Sequence, residues 1–600
     1  MRMWLTKSIL WVGGAMLVAA TPASATIHYR VSLAHPEQHM LHVEMTVQRA
    51  YPGMRVALPA WNALYQVRDF SSRVRDVEAS AKIPGGAVVR LVATKMDKDT
   101  WRMDVPLGPA ELPATTELVV RYLIYWDDAG PFNSQLNTGH AFLNLAEVLF
   151  YVPERRREES HVEYTDVPAG WKLAVELPAG DPQFSEVAPS YDALVDAPVE
   201  LGKFEDFRFE YGGAGYRVVV DGGPYKQDQL EEALQKIVAA ETEMMGGAPF
   251  SEYTFFFHFG PYAQAGGGGM EHSNSTAIAV PSGDYAAGVA AHEFFHLWNV
   301  KRIRPQSLEP VDYTQEQYTR ALWFCEGVTS TYGAYTLERS GLWSEAQFYN
   351  DLAGQIAQLE SRPAREWKSV EESSLDAWLE KYDLYSSADY SISYYNKGQL
   401  LGEMLDLAIR ETTDNHGSLD DVMRGMNRDY ARQGKFYDDS RGIREEVEKV
   451  TGKSFEEFFQ KYVSGTEAIP WNDFLGMAGL RLDVVPEDAA GAGFTIGRDG
   501  QTEIVINGVE SGSPAAKAGL MTGDELLLVD GAAPPRRLDA WARGLKAGQT
   551  IELHIKHQGA EKDVKFQAGH SMRQSYKIEA LPGNEKQKRL REGWLKGKTE

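Results

Sequence analysis

The run His292-Glu293-Phe294-Phe295-His296 constrains this chain more than any other feature. On an α-helix its two histidines stand one turn apart and face the same way. Both rings can then bind one zinc ion, while the glutamate between them reaches a water beside it. The flanking residues predict such a helix. Asp284 is placed as its N-cap, Tyr285 to Ala291 is rich in helix formers, and the helix is expected to reach about Val300. Lys301, Arg302 and Arg304 would follow as a solvated helix end more simply than as an anion site, with Pro305 as the stop.

A catalytic zinc takes a third protein ligand and keeps one position open. Glu326 is the candidate. It lies far enough beyond His296 for a loop and a second helix to return it, and it stands among Trp323, Phe324 and Val328. A glutamate in such apolar company is costly unless it is paired or metal-bound. Glu316 and Glu338 lack that setting. Cys325, the single cysteine, reads as a small packed residue. Two imidazoles and one carboxylate suit zinc best among the common divalent ions.

The longer run His292-Glu293-Phe294-Phe295-His296-Leu297-Trp298-Asn299-Val300-Lys301-Arg302-Ile303-Arg304-Pro305 resembles the zinc motif of the glycyl aminopeptidase family, a group of gluzincin metallopeptidases. The likeness spans nearly the whole mature chain. It includes Leu58-Pro59-Ala60-Trp61 and Tyr65 to Phe70, similar to the family's β domain, although Asn62-Ala63-Leu64 stands where a Pro-Gly turn is expected. The resemblance implies one zinc per chain held by His292, His296 and Glu326, with Glu293 as general base. A thermolysin-like aspartate one turn after the glutamate ligand is absent, since Ser330 occupies that position.

Two further segments acquire expected roles. Gly268-Gly269-Met270-Glu271-His272 closes a glycine run between the strand-like stretches Tyr253 to Phe259 and Thr276 to Val280. The glycines permit close approach of another backbone, and no G-K-[ST] follows to make a phosphate loop. The segment resembles the Gly-x-Met-Glu edge strand of zinc aminopeptidases, which implies a peptide lying along it and Glu271 holding the peptide's free amino group. His272 either assists or is structural. Ser393-Tyr394-Tyr395-Asn396-Lys397-Gly398 precedes a helical stripe of Leu400, Leu401, Met404, Leu405 and Ala408. Its Tyr-x-Lys-Gly pattern is similar to one in related zinc aminopeptidases, which implies that Tyr395 donates to the tetrahedral oxyanion while Tyr394 packs.

The implied activity is release of small N-terminal residues, glycine or alanine, from short peptides with a free N-terminus. Two alternatives stay open. One is a zinc endopeptidase. The other is an inactive peptide-binding scaffold working through a C-terminal module.

That module is legible from Leu475 onward. Glu503 to Val509 reads as a strand, Ser513-Pro514 as a capped helix start, and Met521 to Gly531 as turn, strand and hairpin. The order Ser-Pro-Ala, Ala-Gly-Leu, Gly-Asp-Glu-Leu, Asp-Gly resembles a PDZ domain, which can receive a peptide C-terminus by strand addition. The expected architecture is therefore multidomain α+β. It comprises a signal peptide (1–25), a β-sandwich or saddle-like domain (26–209), a thermolysin-like α/β plus helical zinc peptidase domain (210–470), the PDZ domain (471–570) and a charged tail (571–600). Its stretch from Glu585 to Glu600 is expected to be a loosely held or surface helix.

Arg2 and Lys7, the apolar run Ile9 to Ala20 and Ala23-Ser24-Ala25 read as a secretory signal. Cleavage is expected near Ala25/Thr26, giving a periplasmic or secreted protein without stable membrane insertion. A net charge of -24 disfavours nucleic acid and anionic membranes as partners.

Overall fold

Period-two alternation decides the N-terminal part. Leu41, Val43, Met45 and Val47 are all buried on the strand Met40–Gln48, and Val120, Tyr122 and Ile124 are buried on Glu117–Tyr125. The computed structural model describes residues 27–599 apart from 63–64, 106–112, 114–115, 261–267, 383–384, 386, 500–502, 511, 536–540 and 542–543. The secretory-signal segment, most of the Asn62-Ala63-Leu64 turn and the first two glycines of the glycine run lie outside the described residues.

Two compact units divide the chain. The first takes in residues up to 226, with 249–286 and 311–316; the second takes in 227–248, 287–310 and 317–600. In the first unit, nine described strands form one sheet in the order Ser185–Ala188, Ser160–Thr165, Ile27–Ser32, Met40–Gln48, Glu117–Tyr125, Val74–Lys82, Val88–Lys95, Thr100–Asp104, Arg55–Ala57. A second sheet runs Lys172–Ala174, Val199–Gly202, His140–Leu143, Gln135–Leu136. Between these strands a buried loop carries Val148, Leu149 and Phe150. Its three carbonyls accept from the hydroxyls of Tyr122, Tyr191 and Tyr29, each at 2.8 Å, so an apolar interior holds no orphaned backbone there.

A third sheet is mixed. Glu205–Tyr211 pairs antiparallel with Ala214–Gly222, which runs parallel to Glu252–Phe259, itself parallel to Ser275–Val280. Gly268–Glu271 closes it as an antiparallel edge strand, with Gly268 opposite Ala279 and Glu271 opposite Thr276.

The second unit is helical and then β. The helix expected to run from Tyr285 to Val300 is shorter. A 3-10 turn over Gly283–Tyr285, with Ser282 at its cap in place of Asp284, leads into Ala286–Phe295. Beyond Phe295 the chain still winds through bonds such as Val300 N–H to His296 O at 3.1 Å, but irregularly. The basic cluster there is not simply solvated: Arg302 donates to Leu297 O and Arg304 to Glu309. Helices at Thr329–Arg339, Glu345–Glu360, Tyr394–Thr412, Leu419–Asp429 and Asp439–Thr451 follow.

Five strands then form the C-terminal module, in the order Phe494–Asp499, Glu503–Val509, Glu525–Val529, Thr550–His557, Ala560–Gln567. Ser513 caps the Pro514–Lys517 helix through Ala516 N–H. The charged tail ends in a helix as expected, but one packed by its apolar face and not loosely held. Gly569–Ala580 is a strand paired with Leu480–Gly491, and Glu585–Lys596 is a helix with an Asn584/Gln587 capping box. Leu590 and Trp594 on it are fully buried, which its many lysines and arginines disguise in the sequence.

Candidate metal centre

Residues 286–295 form a helix that exposes Gly288 and buries its opposite face. Ala290, Ala291, Phe294 and Phe295 are buried, and Phe295 stacks on Tyr332 at 4.2 Å between ring centroids. This contact packs the His-Glu-x-x-His helix against Thr329–Arg339. Just ahead of that second helix, Trp323–Val328 winds as a π-helical turn, a geometry frequent at functional sites. Glu326 lies within it, 3 % exposed.

These elements bring three donor groups together. His292 Nε2 lies 3.0 Å from His296 Nε2 and 3.7 Å from Glu326 Oε2, and His296 Nε2 lies 3.2 Å from the same oxygen. Ligands about 2.0–2.1 Å from a tetrahedral zinc stand roughly 3.3 Å apart, so the spacing fits that ion.

Hydrogen-bond partners settle which ring nitrogens are bare. His296 Nδ1 faces Asn299 O at 2.7 Å, an acceptor only, so Nδ1 carries the proton and Nε2 presents its lone pair. Ser330 Oγ donates to Glu326 O at 3.1 Å and thereby accepts from His292 Nδ1 at 3.2 Å, leaving His292 Nε2 bare as well. Burial pushes the Glu326 carboxyl up. Positive charge beside it, which His296 and His292 supply when protonated on Nε2 and a bound cation supplies when they are not, outweighs burial and holds the group well below the usual carboxylate range. Two lone pairs and a carboxylate oxygen in van der Waals contact repel unless a cation sits among them.

Ser330 and Asn299 are the functional residues that sequence reasoning did not find. Asn299 also ties the motif to the Glu326 turn, its Nδ2 donating to Phe324 O at 2.9 Å and to Thr329 Oγ1 at 3.2 Å. Orienting bonds of this kind fix the tautomer and direction of metal-binding histidines. The only signal for either was position: a serine one turn after the glutamate, an asparagine in an otherwise apolar run.

Glu293 is 6 % exposed, and one of its carboxylate oxygens lies within 4.8 Å of a His296 ring nitrogen. Tyr395 sits in the first turn of Tyr394–Thr412, a helix capped by Ser393 through Asn396 N–H. Its ring is 41 % exposed and 6.1 Å from the His292 ring, whereas Tyr394 is buried. Gly398 of the same motif explains the approach. A Cβ there would fall 2.3 Å from Trp323 O and 2.9 Å from Gly327 Cα, so only glycine lets the tyrosine helix touch the Glu326 turn. Lys397 is buried beside it, and burial alone pushes its ammonium down to about 8. Cys325 is buried at 3.4 Å from the Tyr437 hydroxyl, its thiol pushed far up by burial, and is a packed residue.

In the first unit, Gly268, Gly269, Met270 and Glu271 form the sheet edge described above. His272, just past it, is 2 % exposed, with Nδ1 3.6 Å from Asp196. Asp196 also accepts from Ser273 N–H and Oγ–H, so it anchors the turn that follows the edge strand.

The M61 glycyl aminopeptidase family model matches residues 285–401, and the model of the M61 N-terminal domain matches residues 28–203. The chain carries the peptidase domain and the N-terminal domain of the M61 glycyl aminopeptidase family. This makes it a metallo-aminopeptidase, and two imidazoles with one carboxylate is the donor set of a catalytic zinc. Residues 480–567 of the M61 chain match a PDZ domain. No curated protein sequence matches it. Among solved structures it is similar to an aminopeptidase N family protein from Idiomarina loihiensis, at 23 % identity and a TM-score of 0.82, covering 95 % of this chain and 100 % of that one. That likeness confirms a multidomain fold with an N-terminal β domain, a helical peptidase domain and a C-terminal PDZ domain. An M1 zinc metallopeptidase from Deinococcus radiodurans matches at 16 % identity and a TM-score of 0.46, over 74 % of this chain and 95 % of that one.

Proposed function

We propose that this M61 protein is an exported aminopeptidase that releases small first residues, glycine or alanine, from short peptides. One zinc per chain is held by His292, His296 and Glu326. The observation that carries the reading is the convergence of two imidazole nitrogens and a carboxylate oxygen at 3.0, 3.2 and 3.7 Å. Bound zinc would supply a Lewis acid and bring a water toward ionisation at neutral pH.

Glu293 is the general base, taking a proton at its carboxylate and returning it to the leaving amine. The hydroxyl of Tyr395 donates to the oxyanion, a contribution of about 3–4 kcal/mol for a preorganised donor. Gly268, Gly269 and Met270 offer a peptide the open hydrogen-bonding edge of a strand. Glu271, at the end of that strand, receives the substrate's ammonium group, and the buried His272 holds the strand end. The PDZ domain offers a second contact, for a peptide C-terminus. Export rests on the basic, apolar and small-residue segments before Thr26. Among the described residues no helix is long and apolar enough to cross a membrane.

The test uses an alanyl peptide and its N-acetylated form. The free amine is expected to be cleaved and the acetylated peptide spared; equal rates would replace the exopeptidase reading with an endopeptidase one. Glu293→Gln is expected to keep its zinc and to lose about 10²–10⁴ in kcat. A variant that cleaves normally removes Glu293 from the role of base, and a wild type inert towards every peptide leaves the scaffold reading.

A further inference from the structure

A second group of two histidines and one glutamate lies in the first unit, among the strands of its two smaller sheets. His140 begins the strand His140–Leu143, Glu200 lies on the adjacent Val199–Gly202, and His258 is on Glu252–Phe259 of the mixed sheet. Glu200 is fully buried, His258 is 4 % exposed and His140 is 9 % exposed. Glu200 Oε1 lies 3.1 Å from His140 Nδ1, and its Oε2 lies 3.0 Å from His258 Nε2. Among the described residues no lysine or arginine pairs with this carboxylate. Gly202 leaves room for the group, since a Cβ there would fall 3.1 Å from His140 Cβ and 3.3 Å from Glu200 Oε1.

Outer bonds decide the protonation of His140. Gln135 Nε2 donates to Asp127 Oδ1 at 3.0 Å, which turns Gln135 Oε1 towards His140 Nε2 at 3.1 Å. An amide oxygen only accepts, so His140 carries its proton on Nε2. His140 Nδ1 then faces a carboxylate oxygen either as an imidazolium N–H or as a lone pair directed at a shared cation. A second carboxylate, Asp221, stands on the more open side with Oδ2 3.8 Å from His140 Nδ1. Balancing both carboxylates takes a proton on each of His140 and His258, or one dication shared among the groups. The ligand atoms of His140, Glu200 and His258 lie within 4.8 Å of one another, as do those of the His292, His296 and Glu326 centre.

We infer that His140, Glu200 and His258 form a second divalent-cation site of zinc type, structural in kind, with the Asp221 carboxylate nearby as further negative charge. All three ligands are buried, which sets the ion apart from any solvent-borne substrate. The cation cross-links strands of two sheets beside the apolar cluster of Phe142, Ala174, Phe204, Val219, Phe256 and Ala277. His140 then presents a correctly oriented Nδ1, held by Gln135 as outer partner.

The experiment uses the full-length chain carrying His292→Ala and His296→Ala together, so that its outcome does not depend on the catalytic centre. Stripped by chelation, the variant is titrated with Zn2+ and, separately, with Co2+. We expect one equivalent of either metal, visible absorption from the cobalt in a tetrahedral N/O site, and a higher Tm once zinc is bound. Adding Glu200→Gln or His258→Gln to this background is expected to abolish that equivalent. Circular dichroism of each variant reports whether it is folded. A folded double-alanine variant that takes up no metal overturns the proposal in favour of an imidazolium–carboxylate lock. Metal uptake that survives both Glu200→Gln and His258→Gln overturns it too.

Discussion

Ser330 shows how much of a metal centre rests on side chains that never touch the ion. Its hydroxyl hydrogen is committed to Glu326 O and its lone pair to His292 Nδ1, so one serine sets both a tautomer and a ring direction. Alanine at 330 leaves His292 free to rotate and to protonate on either nitrogen. Ser330→Ala is therefore expected to weaken zinc binding by about 10–100-fold, the usual cost of removing an orienting partner. Folding should change little, because only a partly buried hydroxyl is lost. Competition with a chromophoric chelator measures the affinity, and an unchanged zinc Kd would assign the orientation to packing instead.

Close approach of two segments holds the tyrosine helix against the Glu326 turn. Gly327 on the π-helical turn and Gly398 on the Tyr394–Thr412 helix face each other, and a Cβ on either would meet the other's Cα, at 2.4 Å from position 327. Gly398→Ala forces the tyrosine helix away from the Glu326 turn. Overpacking of this kind costs typically 1–3 kcal/mol, and here the displaced backbone carries both Tyr395 and the Glu326 carboxylate. The expected result is a lower Tm together with losses in zinc affinity and kcat. A variant that loses stability and keeps both functional constants would show that the two segments move independently.

The same contact marks what could be read from sequence at the level of elements. The His-Glu-x-x-His helix and the buried setting of Glu326 were legible because rigid spacing and a charge among aromatics are local signals. Strands such as Met40–Gln48 and Glu503–Val509 were legible from alternation and turn residues. The helix end at Phe295, the π-helical turn and the partnership of Asn299 with Phe324 were not, since each depends on a neighbour distant in the chain. His140, Glu200 and His258 carry no spacing signature either, because sheet pairing alone assembles them. Asn299 and Gly398 sat inside motifs already singled out, but the reason for each lies in a partner distant in the chain.

For the molecule as a whole, the C-terminal helix tests whether remote packing supports the helical unit without entering the chemistry. Trp594 is fully buried, its Nε1–H donating to the Tyr335 hydroxyl at 2.6 Å and its ring lying edge-on to Phe348 at 5.2 Å. Arg339 reaches the Trp594 carbonyl while also pairing with Asp420. Tyr335 and Arg339 belong to the helix that begins with Ser330's turn, so the end of the chain braces the element that orients His292. Trp594→Ala removes the ring, leaves a cavity and strips the Tyr335 hydroxyl of its donor. The expected loss is about 3–5 kcal/mol of folding free energy, read as a lower midpoint in thermal or denaturant unfolding. Because none of the metal-centre distances involves Trp594, kcat/KM measured well below the new midpoint should stay close to that of the parent. A marked fall in kcat/KM at unchanged Tm would mean that the helix acts on the site and not on the fold.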